Sequence, residues 1–460
     1  MRIAVIGGLA AGPAAAAEAK RTNPDAEVVL YEQTPHISVG ACEIPYYVGD
    51  WIESADALEV LTSAEFERTR GATVKTRHRV TAIRPRERKL TVEALEFGSV
   101  HEEKFDRFIL ATGARARRLG IEGEDAPNVF SVRGLGDAVA IKSYLDAEPV
   151  RHAVIVGGGY VGVEFAEMLR VRGIRVTILD KRGKLLKNTL CGAMDTPFER
   201  AVREAGVVVR TEVPTRFEAD RWGRLSVVHT DKGERIGCDF VLVAVGLAPR
   251  TELAEAAGIR LGRTGAIAVD DGMQTNVSNV WACGDVIEVP RWLDGKPVYL
   301  PLATVGRRSA RVAARNAASR ARGQRATFTP VVGAIGVAAF GMEAASAGVR
   351  IDEAEAAGFD AVAAQVKHWS RARLYPGAKP LWVRLVAERG TGRLLGGELL
   401  GEEGAGLRAD VLVPLLREGY TARQIIQDLD LVYSPPIAPA VDPLQIAASA
   451  VDRAARTERS

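Results

Sequence analysis

The chain has 460 residues, enough for two or three domains with separate cores, and its 47% hydrophobic and 26% charged content is that of a globular protein. A net charge of +3, from 12 Lys and 49 Arg against 58 acids, gives no strongly basic surface of the kind nucleic acids require. No apolar run reaches the roughly 18–20 residues of a membrane span, and no secretory leader pattern precedes the first strand. The four cysteines form no CxxC pair and show no zinc spacing, so the expectation is a cytoplasmic protein with no metal site and no nucleic-acid or membrane partner.

In chain order, residues 2–7 (RIAVIG) read as a buried strand entering a Gly-rich turn, followed by an Ala-rich helix and a second strand that ends on Glu32. Residues 108–113 (FILATG) resume this unit. A linker, 114–150, loop-rich over 114–135, leads to residues 152–157 (HAVIVG), which repeat the strand and turn, again with a helix and a strand ending on an acid, Asp180. Strand–turn–helix–strand twice is the start of two doubly wound parallel sheets. The first unit returns near residue 281. The predicted domains are 1–113 with 281–327, then 151–280, then 328–452. In the last, short alternating runs (381–386 and 394–400) lie beside helical segments (410–416 and 422–429), an α+β pattern. The charged residues after Asp452 read as a frayed tail.

Gly7-Gly8-Leu9-Ala10-Ala11-Gly12 lies where a GxGxxG turn belongs, with Leu9 in place of the middle glycine. Gly7 allows the tight turn, Gly12 the close approach of helix to strand, and the helix N-terminus attracts a pyrophosphate. Glu32 is spaced to accept a ribose hydroxyl. Gly157-Gly158-Gly159-Tyr160-Val161-Gly162 is the full fingerprint, with Gly157, Gly159 and Gly162 in phase. Asp180 suits the 2′-hydroxyl of NADH and repels the 2′-phosphate of NADPH, while Lys181 and Arg182 directly after it leave NADPH open. Tyr160 is a candidate for the nicotinamide pocket, or for ordinary packing at a helix start.

Cys42, in the segment 36–47 (HISVGACEIPYY), has no second cysteine in the next dozen residues. No internal CxxxxC disulfide can form, so a redox role requires a mixed disulfide with a small thiol or a sulfenic acid. A helix N-terminus beside it is expected to lower its pKa toward a thiolate at neutral pH. Cys191, Cys238 and Cys283 lack such a setting and read as structural.

Together these motifs resemble the pyridine nucleotide-disulfide oxidoreductase superfamily. Within it they resemble the branch with one active-site cysteine, which holds coenzyme A disulfide reductases and NADH oxidases and peroxidases. The likeness covers essentially the whole chain, through Tyr433-Ser434-Pro435-Pro436 near its end. It implies an α/β architecture of two Rossmann-like dinucleotide-binding domains, for FAD and then NAD(P)H, plus a C-terminal α+β dimerisation domain. Gly7, Gly12, Glu32, Thr112, Gly113, Gly284, Asp285 and Ala303 are the candidates for holding FAD, with Trp281-Ala282-Cys283-Gly284-Asp285 closing over the flavin and Cys42 beneath its ring. The resemblance also implies a homodimer, in which the partner's Tyr433 and Tyr375 reach the active site and protonate a leaving thiolate.

Peroxidases and water-forming oxidases of the branch carry a His in the first Gly-rich turn. Here Ala10 stands at that position, and the GGxAxG form of the turn resembles coenzyme A disulfide reductases. Coenzyme A is therefore the expected substrate group, as disulfide or as mixed disulfide, with Lys20, Arg21, Ser38 and Arg307 as candidate contacts and Arg308 beside them. Two positions depart from the family pattern: Ala41 stands where some members have Asn, and Glu43 where Gly is usual. A Glu43 carboxylate turned inward disfavours the thiolate and repels an anionic substrate. The expected reaction is NADH-dependent reduction of coenzyme A disulfide or a related disulfide or persulfide. Reduction of dioxygen, or service to a protein partner, is the alternative.

Overall fold

Strand Arg2–Ile6 is an unbroken apolar run after its first residue because both its faces are covered, and it lies in the middle of a five-stranded sheet. The computed structural model, which describes residues 1–319 and 325–457, orders that sheet Val280–Ala282, Arg107–Leu110, Arg2–Ile6, Glu27–Tyr31, Thr73–Lys75, all parallel. A second parallel sheet runs Val208–Arg210, Arg175–Leu179, His152–Val156, Phe240–Val243, Val129–Phe130. The duplication is in register: Ile6 lies opposite Tyr31 and Val156 opposite Leu179, each one residue before the acid. Each unit also carries a three-stranded antiparallel sheet that sequence patterning did not mark. One is built from His78–Arg84, Lys89–Ala94 and Ser99–Lys104, the other from Pro214–Ala219, Leu225–Thr230 and Arg235–Gly237.

The helices Ala11–Thr22 and Ala303–Ala318 pack on each other beside the first sheet. Alanine is the best helix former, and its small side chain lets two helix axes come close. Ala15, Ala16, Ala19, Ala310, Ala313 and Ala314 are all fully buried. Glu18 is buried beside them and accepts Arg315 Nε at 2.6 Å, which ties the pair together.

The expected linker 114–150 is part of the second unit. Val129–Phe130 pairs with Phe240–Val243 as an edge strand, and helix Leu135–Ala147 buries Leu135, Ala138, Ile141 and Leu145 in the second unit's core. The first unit also resumes before 281: Ala254, Ile259, Ile267 and Met273 lie in its core. Of the expected segment 281–327, residues 320–324 lie outside the described residues.

The C-terminal domain is an antiparallel five-stranded sheet ordered Ile335–Ala339, Met342–Gly348, Leu394–Gly401, Pro380–Glu388, Ala361–Trp369. Helices Ala405–Arg417, Ala422–Asp428 and Pro443–Arg456 share its core. The last helix runs past Asp452 and buries Val451 and Ala455, so the chain is not frayed from that point. Among the described residues no helix is long and apolar enough to cross a membrane, and no group of three or more His, Cys, Asp or Glu is placed to hold a metal.

Candidate functional site

The two Gly-rich turns are built by the same contacts. Gly7 and Gly157 hold φ of 109° and 113°, where a Cβ would lie 2.2 Å from the Ala111 carbonyl oxygen and 2.4 Å from that of Ala244. A Cβ on Gly12 or Gly162 would lie 1.7 Å or 2.0 Å from the carbonyl oxygen of Gly7 or Gly157. Gly8 N–H donates to Glu32 Oε2 at 2.6 Å, and Gly158 N–H to Asp180 Oδ2 at 3.0 Å. The loop after the second strand closes each turn in turn: Ser38 N–H donates to Gly8 O at 2.9 Å and Leu186 N–H to Gly158 O at 2.8 Å. Ser38 and Leu186 hold φ of 52° and 51°, strain that persists only where surrounding contacts over-determine it.

The helices that leave these turns, Ala11–Thr22 and Tyr160–Val171, have no side-chain cap and no acid in the first turn, and neither does Ala303–Ala318. Thr62, Thr421 and Asp442, by contrast, cap the helices they precede. Uncapped N–H groups at the end of a parallel sheet suit a pyrophosphate. A Cβ on Gly159 would meet nothing within 4 Å, so the second turn is open above that glycine. Both turns therefore fit a dinucleotide.

Thr112 Oγ1 donates to Arg250 O at 2.9 Å, and Gly113 follows with φ of 69°. Gly284 (φ 79°) passes so close to the first helix that a Cβ would lie 2.7 Å from Ala11 Cβ. Its N–H donates to Ser309 Oγ at 3.1 Å. Asp285 accepts Arg133 Nη2 at 2.5 Å, and its carbonyl accepts the Tyr299 hydroxyl at 3.0 Å. Ala303 opens the uncapped third helix. Arg133, Ser309 and Tyr299 were not read from the sequence, because nothing local marks a partner that lies 152 residues away, as Asp285 does from Arg133.

Cys42 is exposed on the 3-10 turn Ala41–Glu43, just before helix Ile44–Val48. Ile44, Tyr47 and Val48 are buried in the second unit's core, and this helix packs on Tyr160–Val171. The segment is thus pinned to the first turn at Ser38 and to the second unit just beyond Cys42. Tyr46 stacks on Trp51 with ring centroids 5.8 Å apart, and its hydroxyl lies 3.5 Å from Glu164 Oε1. Burial raises the Glu164 carboxyl to about 7.

The Cys42 thiol is pushed up, first by crowding around the sulfur although the residue reaches solvent, then by Glu43 and Glu164, with Arg133 opposing. This corrects the expected lowering: the helix beside it has only five residues, and nearby carboxylates outweigh one arginine. Glu43 is exposed, and its carboxylate lies over Gly40, where a Cβ would meet Oε2 at 2.5 Å. All four cysteines are free, and burial raises Cys238 and Cys283 to about 12.

The structure gathers Cys42, Ser38, both turns and Asp285 at one end of the two parallel sheets. Lys20 and Arg21 sit at the other end of a 12-residue helix, about 18 Å long. There Lys20 Nζ donates to Pro24 O at 2.6 Å and Ala26 O at 3.0 Å, and Arg21 Nε donates to Glu18 at 3.1 Å. Arg307 is exposed near the start of Ala303–Ala318, while Arg308 lies 4.7 Å over the Phe328 ring. The Tyr160 hydroxyl accepts Thr189 Oγ1 at 2.7 Å. Tyr375 and Tyr433 are 40% and 54% exposed on two loops of the C-terminal domain that touch through Ala372 N–H and Pro435 O at 3.1 Å. Leu374, Val432, Ile437 and Val441 are exposed on the same loops, an apolar surface of the kind that marks an interface.

Residues 1–317 match the family described as pyridine nucleotide-disulphide oxidoreductase, and residues 335–444 match the dimerisation domain of that family. The chain is 32% identical over 447 residues to the NAD(P)H coenzyme A polysulfide/persulfide reductase of Pyrococcus horikoshii, covering 97% of each. It is 29% identical to the coenzyme A disulfide reductase of Staphylococcus aureus, covering 95% of this chain and 96% of that one. Among solved structures it is similar to an NAD-dependent persulfide reductase from A. fulgidus, with a TM-score of 0.92, 32% identity, and coverage of 98% of this chain and 82% of that one.

Proposed function

Because the chain belongs to the pyridine nucleotide-disulphide oxidoreductase family, we propose that it is an FAD- and NAD(P)H-dependent reductase that reduces a coenzyme A disulfide or persulfide through Cys42. The observation that carries this reading is that Cys42, held between two dinucleotide turns, is the exposed one of the four cysteines, while half-buried Cys191 and buried Cys238 and Cys283 are each raised to about 12. The first turn, with Glu32, Thr112, Gly113, Gly284, Asp285 and the start of Ala303–Ala318, is assigned to FAD. The second turn, with Gly157, Gly159, Gly162 and Asp180, is assigned to NADH. Asp180 is held in place by Gly158 N–H at 3.0 Å and Arg182 N–H at 2.8 Å, so its charge stands where a 2′-phosphate would come.

The bound flavin supplies the chemistry of accepting hydride from nicotinamide and passing electron pairs to sulfur. Cys42 attacks one sulfur of the substrate disulfide as thiolate; the S–S bond breaks, a mixed disulfide forms and one thiol leaves with a proton. Two electrons that originate in NADH and one further proton then cleave the mixed disulfide, releasing the second thiol and restoring Cys42. The balance is one disulfide, one NADH and one proton to two thiols and NAD+. The partner's Tyr433, aided by the partner's Tyr375, donates to the leaving thiolate; the dimerisation domain and its exposed apolar loops support that arrangement. Ser38, bonded to the first turn, and Arg307, exposed near the start of Ala303–Ala318, are assigned to coenzyme A where it meets the FAD site. Lys20 and Arg21 are reached only by a long, extended ligand, which coenzyme A is. Four free cysteines suit a reducing cytoplasm.

The test is the stoichiometry of the purified holoenzyme with NADH and, separately, coenzyme A disulfide, coenzyme A persulfide, oxidised glutathione and air. Two thiols released per NADH with coenzyme A disulfide, or one thiol and sulfide with the persulfide, are expected. NADH loss matched by oxygen uptake, with no acceleration by any disulfide or persulfide, would overturn the reading in favour of an oxidase.

A further inference from the structure

Strand Leu394–Gly401 is buried at all eight positions, and one of them is a charged residue: Glu398 is 1% exposed. Burying a carboxylate is unfavourable unless its oxygens are engaged, and both oxygens of Glu398 engage one residue of another domain. Oε2 accepts Cys191 N–H at 2.7 Å and Oε1 accepts Cys191 S–H at 3.0 Å. Arg384, opposite Glu398 on the neighbouring strand, donates to Cys191 O at 3.3 Å. Arg350 donates to Asn188 O at 3.1 Å. The C-terminal domain therefore grips the loop around residues 186–192 through three of its side chains.

That loop is the wall of the second Gly-rich turn. Leu186 N–H donates to Gly158 O at 2.8 Å, and Leu185 fills the space where a Cβ on Gly158 would lie 2.7 Å from its Cδ2. Thr189, fully buried, donates to the Tyr160 hydroxyl at 2.7 Å. Leu186 is held at φ 51°, so the loop needs outside contacts to keep this shape. The duplication sharpens the point. In the first unit the equivalent loop makes the same bond from Ser38 to Gly8 and continues through the turn Ala41–Glu43 into a helix. In the second it continues through Gly192–Met194 into Asp195–Glu204. Where the first loop offers Cys42 to solvent, the second gives Cys191 to Glu398.

We propose that Glu398 is a positioning residue for the nicotinamide nucleotide: by holding Cys191 it fixes the loop 186–191, and the loop fixes Gly158 and Tyr160 in the shape the nucleotide binds. The inference rests on the assignment of residues 157–162 to that nucleotide. Glu398 touches no reacting atom, so its loss acts on binding and not on the chemical step.

The experiment is calorimetric titration of the holoenzyme with NAD+, paired with initial rates against NADH, for wild type, Glu398→Ala, Glu398→Gln and Thr189→Val. Glu398→Ala is expected to raise the Kd for NAD+ and the KM for NADH about tenfold with kcat within about twofold, since it leaves the Cys191 N–H without its acceptor. Glu398→Gln keeps an acceptor for that N–H and is expected within about threefold of wild type. Thr189→Val cuts the tie to Tyr160 without emptying the core and is expected to raise the Kd severalfold; it decides the matter if Glu398→Ala does not fold. Wild-type Kd values in Glu398→Ala or Thr189→Val, or a fall in kcat at unchanged KM, would overturn the inference while leaving the site assignment standing. A wild-type holoenzyme that binds no NAD+ would overturn the site assignment, and the inference with it.

Discussion

Gly159→Ala and Gly162→Ala separate a glycine kept for a ligand from one kept for the fold. Gly159 has φ −80° and ψ −171°, backbone that any residue adopts, and a Cβ there would meet no atom within 4 Å. A Cβ at Gly162 would lie 2.0 Å from the Gly157 carbonyl oxygen. Gly162→Ala must push the helix off the strand, with an overpacking cost of about 1–3 kcal/mol. In a domain of this size that lowers Tm by roughly 2–4 °C per kcal/mol. Gly159→Ala leaves Tm within about 1 °C, as a surface substitution does. Its methyl nevertheless occupies the space above the turn, so the KM for NADH rises about tenfold, ~1.4 kcal/mol of lost binding. FAD content and kcat at saturating NADH stay at wild-type values. Scanning calorimetry and initial rates on both variants check this. Equal losses of Tm in the two variants, or an unchanged KM in Gly159→Ala, would refute the division of roles.

Burial raises the Glu164 carboxyl from 4.5 to about 7, so its contribution to stability is present at low pH and is lost as pH rises from about 4.5 through 7. Glu164→Gln should therefore gain on wild type in unfolding free energy as pH climbs from 5 to 8, by on the order of 2 kcal/mol, read by denaturant unfolding; a pH-independent difference counts against the burial argument. Native protein treated with iodoacetamide at mildly alkaline pH should be alkylated at Cys42, and at Cys238 and Cys283 only after unfolding, because burial holds those two thiols near 12. Peptide mass mapping reads the outcome, and early labelling of Cys283 would contradict it. Leu374→Glu combined with Val432→Glu places charge on two side chains that are 97% and 76% exposed in the chain, and should shift a dimer to monomer in light scattering. An unchanged dimer mass would remove these loops from the interface.

The two Gly-rich turns were legible because backbone sterics allow little else there: Gly7, Gly12, Gly157 and Gly162 each face a carbonyl oxygen within 2.4 Å of where a Cβ would be. Glu32 and Asp180 were legible from their spacing, since each must end the strand beside its turn. The stretch 114–150 was misassigned because its strand, Val129–Phe130, has two residues and shows no periodicity. Its helix is marked only by the core it packs on. The pKa of Cys42 was misjudged because the burial of its sulfur, the largest cause of the rise, and the later contribution of Glu164 arise only when the chain packs; the push from the adjacent Glu43 was legible in the sequence. Glu398 stands out in LLGGELLG as a charge in an apolar run, yet its partner lies 207 residues away and only the folded chain reveals it.

Whether electrons leave through Cys42 is decided by anaerobic mixing of NADH with the holoenzyme carrying Cys42→Ser. The flavin absorbance is expected to bleach at the wild-type rate, with no thiol released from coenzyme A disulfide. Thiol release by the Ser variant at the wild-type rate would contradict the assignment of Cys42.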